Sequence, residues 1–219
     1  MPNELKKTTV IFDFDSTLAE SLPEVKKIFI QIAQDLNYPQ ITPKLIDRLI
    51  HREIKEVLRE LKFPIFKLTK MEKLFRQKIK LVIKNIKPFP EIKKTIKELK
   101  KLGYPLGILS SNSQENVLWF LKKYELNDYF NFVDGGSGFF GKAKRLKKLL
   151  KKEKLKRDEV IYIGDETRDI FAAQKNKVRV ISVTWGVNPK SVLTKYHPDW
   201  LADKPADLLK IIKNYDKLK

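Results

Sequence analysis

Four short runs of β-branched and other apolar residues recur along the 219-residue chain, separated by stretches with helical periodicity. They cover residues 8–12, 106–109, 160–163 and 178–183. Runs this short and this uniformly apolar are typical of parallel strands, because helices cover both faces of a parallel sheet. The alternation of strands with helices predicts an α/β fold: a doubly wound parallel sheet, or Rossmann-like core.

The interval from residue 20 to residue 87 contains no convincing strand. Three amphipathic stripes in it would pack on one another as a helical bundle inserted after the first strand. We therefore predict a catalytic core formed by residues 1–19 and 88–219, with an inserted α-helical cap formed by residues 20–87. The name "cap" is kept below for this segment.

Local signals predict the helix boundaries within the cap. Ser21, followed three residues later by Glu24, is typical of a capping box at the start of a first helix. A second helix is predicted to begin at Thr42 and to run to about Leu61, and a third is predicted over residues 71–86.

Composition excludes several classes of protein. The absence of cysteine excludes a disulfide scaffold, a thiol nucleophile and a cysteine-ligated metal site. No apolar run approaches the roughly 20 residues that a membrane-spanning helix needs, and the N-terminus lacks the layout of a secretion signal. We expect a cytoplasmic monomer or dimer with no membrane partner.

The chain is strongly basic, with 46 Lys and Arg against 27 Asp and Glu and a net charge of +19. Such a charge favours acidic partners, either nucleic acid or phosphorylated metabolites. However, 38 of the 46 basic residues are Lys, and Arg is the residue preferred for contacts with bases. We expect nucleic acid to bind only weakly and non-specifically, if at all, and a purely compositional origin of the charge stays open.

Two carboxylates, Asp13 and Asp15, directly follow the first apolar run. In an extended chain they point to the same side, because side chains alternate along a strand. Two like charges this close are unfavourable unless a cation or a shared proton compensates them. With oxygen ligands and no cysteine, the expected cation is Mg²⁺. The alternative is an Asx-rich turn that leads into the next helix.

Polar residues also follow the second and third runs. The segment Ser110–Asn112 follows the second, and Asp165 follows the third, with Asp169 four residues later. Because the carboxyl ends of parallel strands share one edge of a sheet, these groups and the first two carboxylates would meet in one cleft. Taken singly, Ser110 fits a turn and the two aspartates fit a helix start.

Lys142 is distinguished from the other lysines by its position. It follows the segment Gly135–Gly141, which holds four of the eight glycines in the chain, and it begins a helical pattern. A helix N-terminus favours anions, so Lys142 would strengthen a phosphate site there. The glycines are equally compatible with a simple tight turn.

Taken in order, these segments resemble the four motifs of the haloacid dehalogenase-like hydrolases, and most closely those of the phosphoglycolate phosphatase-like subgroup. The motifs are Asp13-Phe14-Asp15-Ser16-Thr17, Ser110, Lys142 and Gly164-Asp165-Glu166-Thr167-Arg168-Asp169. The resemblance covers residues 8–18 and 88–210. About 95 residues separate Asp15 from Ser110, which is typical of members with a helical cap after the first motif.

The resemblance implies a catalytic role for four residues. Asp13 would be the nucleophile that becomes an aspartyl-phosphate. Asp15 would protonate the leaving oxygen and then activate water. Ser110 and Lys142 would stabilise the transferred phosphoryl group.

The resemblance also implies binding roles. Ser110, Ser111, Asn112 and Lys142 would contact the phosphoryl oxygens of the substrate. The Asp13 carboxylate, the Asp15 backbone carbonyl and Asp165 would ligate Mg²⁺, and Asp169 would orient a metal-bound water or Lys142 from outside that ligand set.

The function implied is a Mg²⁺-dependent phosphatase that acts on a small phosphorylated metabolite. Dehalogenating relatives lack the second motif aspartate, so Asp15 favours phosphoryl chemistry. Ser16 departs from the glycine common at its position, which puts the freedom of that turn in doubt. A sugar-phosphate mutase and a basic, nucleic-acid-associated phosphatase or regulatory protein stay open as alternatives.

Overall fold

The computed structural model of the chain describes residues 7–38, 40–52, 54–136 and 141–218. Residues 137–140, in the middle of the glycine-rich segment, lie outside the described residues. At the centre is a parallel sheet of six strands in the order β3-β2-β1-β4-β5-β6. The strands are β1 Thr9–Phe12, β2 Leu106–Leu109, β3 Phe132–Asp134, β4 Val160–Gly164, β5 Arg179–Val183 and β6 Trp200–Ala202. The predicted α/β fold with a doubly wound parallel sheet is confirmed.

Helices occupy the connections between the strands. They are α1 Leu22–Asp35, α2 Pro43–Leu49, α3 Ile54–Glu60, α4 Leu68–Val82, α5 Ile92–Lys101, α6 Gln114–Lys123, α7 Lys142–Lys152, α8 Thr167–Lys175, α9 Lys190–Leu193 and α10 Pro205–Lys217. Within the described ranges, no helix combines the length and the apolar character needed to cross a bilayer.

Alternating side chains of the sheet form two separate cores. Val10 and Phe12 of β1 belong to the larger apolar cluster, together with residues of α5, α6 and α10. Ile11, between them in the sequence, belongs to a second cluster with residues of α7 and α8. Because successive side chains of a strand point to opposite faces, one four-residue run supplies both layers.

Two strands were not predicted from the sequence. Both β3 and β6 have three residues and lie at the two edges of the sheet. Most of their side chains are only half-buried. Edge strands this short lack the continuous apolar run that identifies a central parallel strand.

The helices α1 to α4 lie between β1 and α5 and form the cap. The chain enters and leaves the cap through two segments that pair with each other, since Ala19 and Pro88 form an antiparallel bridge. The Glu20 backbone N–H donates to the Lys87 carbonyl at 2.8 Å. This pairing supports the predicted boundaries at 19–20 and 87–88, which we retain as a proposal.

Two local predictions in the cap were wrong. Helix α1 begins next to Ser21, but the Ser21 hydroxyl makes no capping bond and instead accepts from the Ser16 backbone N–H at 3.2 Å. The predicted second helix is divided into α2 and α3. The His51 carbonyl, between them, accepts from the Asn188 side chain of the core at 2.7 Å, which diverts it from helical hydrogen bonding.

We predict that Leu149→Ala lowers the free energy of unfolding by about 2–5 kcal/mol, because it opens a cavity between α7 and the sheet. Leu149 is fully buried in the second apolar cluster. The matched change Leu81→Ala, in α4, removes a side chain that is 71% exposed and should cost less than about 0.5 kcal/mol. Urea denaturation of both variants measures the difference, and equal losses would contradict it.

Candidate active site

The ends of three strands bring the predicted site residues to one edge of the sheet. Phe12 of β1 lies in register with Ile108 of β2 and with Ile163 of β4. Asp13 comes one residue after Phe12 in the chain, Ser110 comes two residues after Ile108, and Asp165 comes two residues after Ile163. The structure therefore brings together groups that are far apart in the sequence, as expected for the carboxyl edge of a parallel sheet.

Three aspartates form a buried cluster at this edge. Carboxylate oxygens of Asp13, Asp165 and Asp169 lie within 4.8 Å of one another. Each of the three side chains is at most 1% exposed. Lys142 reaches into the cluster, where its Nζ lies 2.8 Å from Asp13 Oδ2 and forms an ion pair with Asp169.

The position of Lys142 follows from the start of α7. Gly141 has a φ of +93°, a left-handed conformation that favours glycine, and Lys142 is the first residue of the helix. The Lys142 side chain is only 5% exposed. Burial alone would lower the pKa of Lys142, but Asp13 and Asp169 outweigh it and raise the pKa, so this lysine is charged.

Asp13 has too few favourable partners for a buried carboxylate. Burial has the largest effect on its pKa; together with repulsion from Asp169 it outweighs the charge of Lys142, so that the pKa rises from 3.8 to about 7. Within the described part of the chain, no hydrogen bond of good geometry reaches either Asp13 oxygen. An additional cation beside this carboxylate would compensate its charge.

Asp165 is held in place by two hydrogen bonds from elsewhere in the chain. Thr17 Oγ1 donates to Asp165 Oδ1 at 2.7 Å, and the Val187 backbone N–H donates to Oδ2 at 2.7 Å. Burial raises the pKa of Asp165 well above its usual range. Each carboxylate oxygen retains a lone pair, so Asp165 is oriented and can still bind a cation.

The donor set at this edge fits a small, hard divalent cation. All of the candidate ligands are oxygens, and Asp13 offers two buried oxygens, of which Oδ2 lies close to Lys142. Asp169 is engaged differently, because one of its oxygens pairs with Lys142 and the other accepts from the Glu166 backbone N–H at 3.0 Å. Asp169 is therefore placed to orient Lys142, while Asp13 and Asp165 are placed to hold the cation.

Asp15 lies on the wall of the adjoining cavity. Asn112 Nδ2 donates to its two carboxylate oxygens at 3.3 and 3.2 Å. Burial raises the pKa of Asp15, although hydrogen bonds from Ser21 and Asn112 oppose the increase. A carboxyl group with a raised pKa that faces a cavity is suited to proton transfer.

The loop that carries Asp15 turns sharply at Ser16. Ser16 has a φ of +58°, in the left-handed region, and its N–H donates to the Ala19 carbonyl at 2.8 Å. A left-handed conformation costs a non-glycine residue about 1–2 kcal/mol. The loop thus accommodates serine at the position where glycine is common, but at an energetic cost.

The segment after β2 presents hydroxyl and amide groups to the same cleft. The buried Ser110 hydroxyl accepts from the Asn112 backbone N–H at 3.0 Å. Asn116 Nδ2 donates to Asn112 Oδ1 at 2.9 Å, which turns the Asn112 amide nitrogen toward Asp15. Ser111 lines the cavity, and its hydroxyl lies 3.5 Å from an Arg168 nitrogen.

The sequence alone indicates no role for Thr17 or Arg168, although both lie in the motifs that resemble those of the hydrolase family. Arg168 Nη2 donates to Glu166 Oε1 at 2.5 Å. Arg168 Nε is buried without a hydrogen-bond partner among the described residues. Burial on its own would lower the pKa of Arg168, but neighbouring carboxylates raise it, so a second fixed cation lies beside Lys142.

The sequence did not predict one contact between the cap and the core. His51 Nδ1 donates to the Val187 carbonyl, and the Asn188 side chain joins the His51 carbonyl to the Thr167 backbone N–H. Val187 is also the residue whose N–H holds Asp165. No local pattern in the sequence indicates this contact, because it depends on the fold.

A cavity of about 640 Å³ extends from Asp15 and Lys142 into the cap. Four polar or aromatic residues of the cap differ in their position relative to this cavity. Arg52 lines the cavity, and His51 contacts the core. Tyr38 packs on Phe63 with ring centroids 5.1 Å apart, and Phe66 is 81% exposed on the surface.

A family of known proteins matches this chain over most of its length, in sequence and in structure. The sequence model of the haloacid dehalogenase-like hydrolases matches residues 10–183. A phosphoglycolate phosphatase from Synechococcus elongatus is 32% identical over 203 residues, which are 93% of this chain and 96% of that protein. The pyrophosphatase PpaX from Bacillus cereus is 28% identical over 135 residues, 60% of this chain and 62% of that protein. The crystal structure of a haloacid dehalogenase-like hydrolase from Bacteroides fragilis has a TM-score of 0.80 at 27% identity and covers 93% of this chain and 100% of that one.

We predict that Asp13→Asn stabilises the metal-free protein at about pH 8. The folded-state pKa of about 7 lies above 3.8, so the stability that Asp13 contributes is lost as the pH rises through 7. The melting temperature of the wild type should therefore fall more steeply between about pH 5 and pH 8 than that of Asp13→Asn. Asp128→Asn, an exposed aspartate, should keep the wild-type slope, and parallel curves for all three proteins would contradict the prediction.

Proposed function

Because the chain belongs to the haloacid dehalogenase-like hydrolase family, we propose that it is a Mg²⁺-dependent phosphatase that acts through a covalent aspartyl-phosphate at Asp13. The observation that carries this proposal is the buried Asp13 carboxylate, whose Oδ2 lies 2.8 Å from the Lys142 ammonium group. A buried carboxylate flanked by fixed cations is suited to attack an anionic phosphoryl group.

Asp13 and Asp15 divide the reaction between them. An Asp13 oxygen attacks phosphorus, the bond from phosphorus to the ester oxygen breaks, and Asp15 gives its proton to that oxygen. Water then attacks the aspartyl-phosphate while Asp15 takes a proton from it. Phosphate leaves, Asp13 is again a carboxylate, and Asp15 is again protonated. The raised pKa of Asp15 supports its being protonated in the first step.

The phosphoryl oxygens are bound by groups around the cluster. Lys142 supplies a fixed positive charge, and Ser110, Ser111 and Asn112 supply hydroxyl, amide and backbone donors from the segment after β2. These donors are held by the hydrogen bonds within that segment, so little reorganisation is needed when charge develops on the phosphoryl group.

Mg²⁺ is the cofactor that this donor set fits best. The carboxylates of Asp13 and Asp165 and the backbone carbonyl of Asp15 would hold it, and Asp169 would act on it only through Lys142 or a bound water. When bound, the ion offsets the negative charge of the phosphoryl group beside Asp13. Thr17 and the Val187 N–H keep the Asp165 carboxylate in position to receive it.

The similar proteins support the same class of reaction. One is named a phosphoglycolate phosphatase and another a pyrophosphatase. Both names describe the transfer of a phosphoryl group to water. We infer that this chain likewise hydrolyses a small phosphorylated compound.

We predict that Asp13→Asn abolishes phosphate release and leaves the fold intact, since the amide cannot act as the nucleophile. Asp15→Asn should slow turnover by about 10²–10⁴-fold, because general acid–base catalysis is lost. The measurement is phosphate release from a panel of phosphorylated metabolites, with intact-mass spectrometry to detect phosphoenzyme in Asp15→Asn.

The control is Asp128→Asn, which removes an exposed carboxylate far from the cleft and should retain wild-type turnover. Wild-type activity in a purified Asp13→Asn sample would exclude the proposed mechanism. Isomerised sugar phosphate in place of free phosphate would indicate a mutase.

We predict that activity requires Mg²⁺ and that Thr17→Val raises the Mg²⁺ concentration needed for half-maximal activity by about 10–100-fold. The change keeps the shape of the side chain but removes the hydrogen bond that orients Asp165. Magnesium titrations of chelator-treated protein measure the effect, and turnover at saturating Mg²⁺ should change much less.

Thr184→Val is the matched control, because Thr184 donates a hydrogen bond of similar length, 2.9 Å, to Asp203 at an exposed site. Its magnesium requirement should equal that of the wild type. Full activity after exhaustive chelation would overturn the metal assignment.

A further inference from the structure

The wall of the cavity in the cap is largely apolar. Each of the helices α1 to α4 contributes to it, as does the segment between α3 and α4. The residues include Phe29, Ile46, Leu58, Phe63, Met71 and Phe75. Its volume of about 640 Å³ falls within the range of about 300–1,000 Å³ for pockets that hold drug-sized ligands. This space is much larger than a compound such as phosphoglycolate requires.

The apolar side chains around the cavity are incompletely covered by protein. Phe29 and Phe75 are half-buried and pack on each other with ring centroids 5.3 Å apart. Ile46 and Leu58 are also half-buried, although both line the interior of the cap. Apolar surface left open in an enclosed space is the property expected of a site for an apolar group.

The charged cap residues that line the cavity are already paired with each other or with their neighbours. Arg76 binds Glu72 at 2.8 Å. Arg52 binds Glu60 and lies 3.6 Å from Glu56. Among the cap residues that the structure describes on this wall, no cation is left without a carboxylate partner. The cap side of the wall therefore offers little to a second anionic group, such as a carboxylate or another phosphoryl group. The other basic residues that line the cavity, Lys142, Lys144, Arg168 and Lys175, all belong to the core.

We propose that the substrate is a phosphate monoester of an apolar alcohol, with its hydrocarbon group in the cap cavity. This inference rests on the proposed phosphatase function and specifies its substrate class. It differs from the substrates named for the similar proteins, since phosphoglycolate and pyrophosphate both carry a second anionic group.

The two parts of such a substrate match the two ends of the cavity. Lys142 and Asp15 line the cavity beside the aspartate cluster, and Phe63 lines the part of the cavity within the cap. With the phosphoryl group at Asp13, the ester oxygen faces Asp15 and the hydrocarbon extends into the cap. Hydrolysis breaks the bond between phosphorus and the ester oxygen, and the alcohol leaves with the proton from Asp15.

The test is a series of alkyl phosphates with one headgroup and increasing chain length: ethyl, butyl, hexyl and octyl phosphate. We expect kcat/KM to rise about fourfold for each buried methylene until the cavity is filled. We also expect octyl phosphate to exceed 2-phosphoglycolate and pyrophosphate. A flat or falling series, or a preference for 2-phosphoglycolate or pyrophosphate, would overturn the inference while leaving the phosphatase proposal intact.

Two matched variants test whether the cap wall causes the preference. Val57 lines the cavity and is half-buried, whereas Val82 is half-buried in the cap outside the cavity wall. Val57→Thr adds a hydroxyl to the wall and should lower kcat/KM for octyl phosphate by about fivefold or more, with little change for ethyl phosphate. Val82→Thr should alter neither, and equal effects of the two variants would contradict a role for the cavity.

Calorimetric binding to Asp13→Asn distinguishes failure of this inference from failure of the proposed function. Affinity that increases from ethyl to octyl phosphate, with an increasingly negative heat-capacity change, supports the apolar site without requiring turnover. If such binding occurs and the wild type releases no phosphate from any compound, the phosphatase proposal fails and the apolar site stands. Affinity that is independent of chain length overturns the apolar site.

Discussion

The pairing of one buried ammonium group with two buried carboxylates is the interaction on which the site depends. Lys142 lies between Asp13 and Asp169, and all three side chains are at most 5% exposed. Removing the ammonium group would leave two buried carboxylates without their cation, which is strongly destabilising. The packing of α7 on the sheet through residues such as Leu149 therefore serves the site as well as the core, since α7 begins at Lys142.

The sequence predicts the sheet and the position of the site well, because both depend on local patterns. Each central strand is a short apolar run, and polar residues follow three of them at the same level. Thr17 and Val187 could not be assigned in this way, since they meet Asp165 across 148 and 22 residues of sequence. Edge strands and the break between α2 and α3 also depend on tertiary contacts, and the roles of the site residues stay predictions until they are tested.

Composition alone could not identify the functional charges in so basic a chain. Lys142 is one of 38 lysines, and the same helix carries further lysines on its exposed face. What distinguishes Lys142 is that Gly141 before it adopts a left-handed backbone conformation. The helix therefore begins at the edge of the sheet where the aspartate cluster lies. In the cap the excess of basic residues does not reach the cavity as free charge, because Arg52 and Arg76 are paired with glutamates. The net charge of the chain and the polarity of its binding site are thus separate properties.

The double role of Val187 links the position of the cap to that of the Asp165 carboxylate. Its N–H holds Asp165, and its carbonyl receives the His51 ring from the cap. Two contacts made by one residue constrain each other, and any energetic coupling between them acts equally in both directions. Whatever holds His51 against the core restrains the loop that orients Asp165, and whatever fixes Asp165 restrains the cap. A displacement of the cap is therefore transmitted to the Asp165 carboxylate, although the two lie in different parts of the fold.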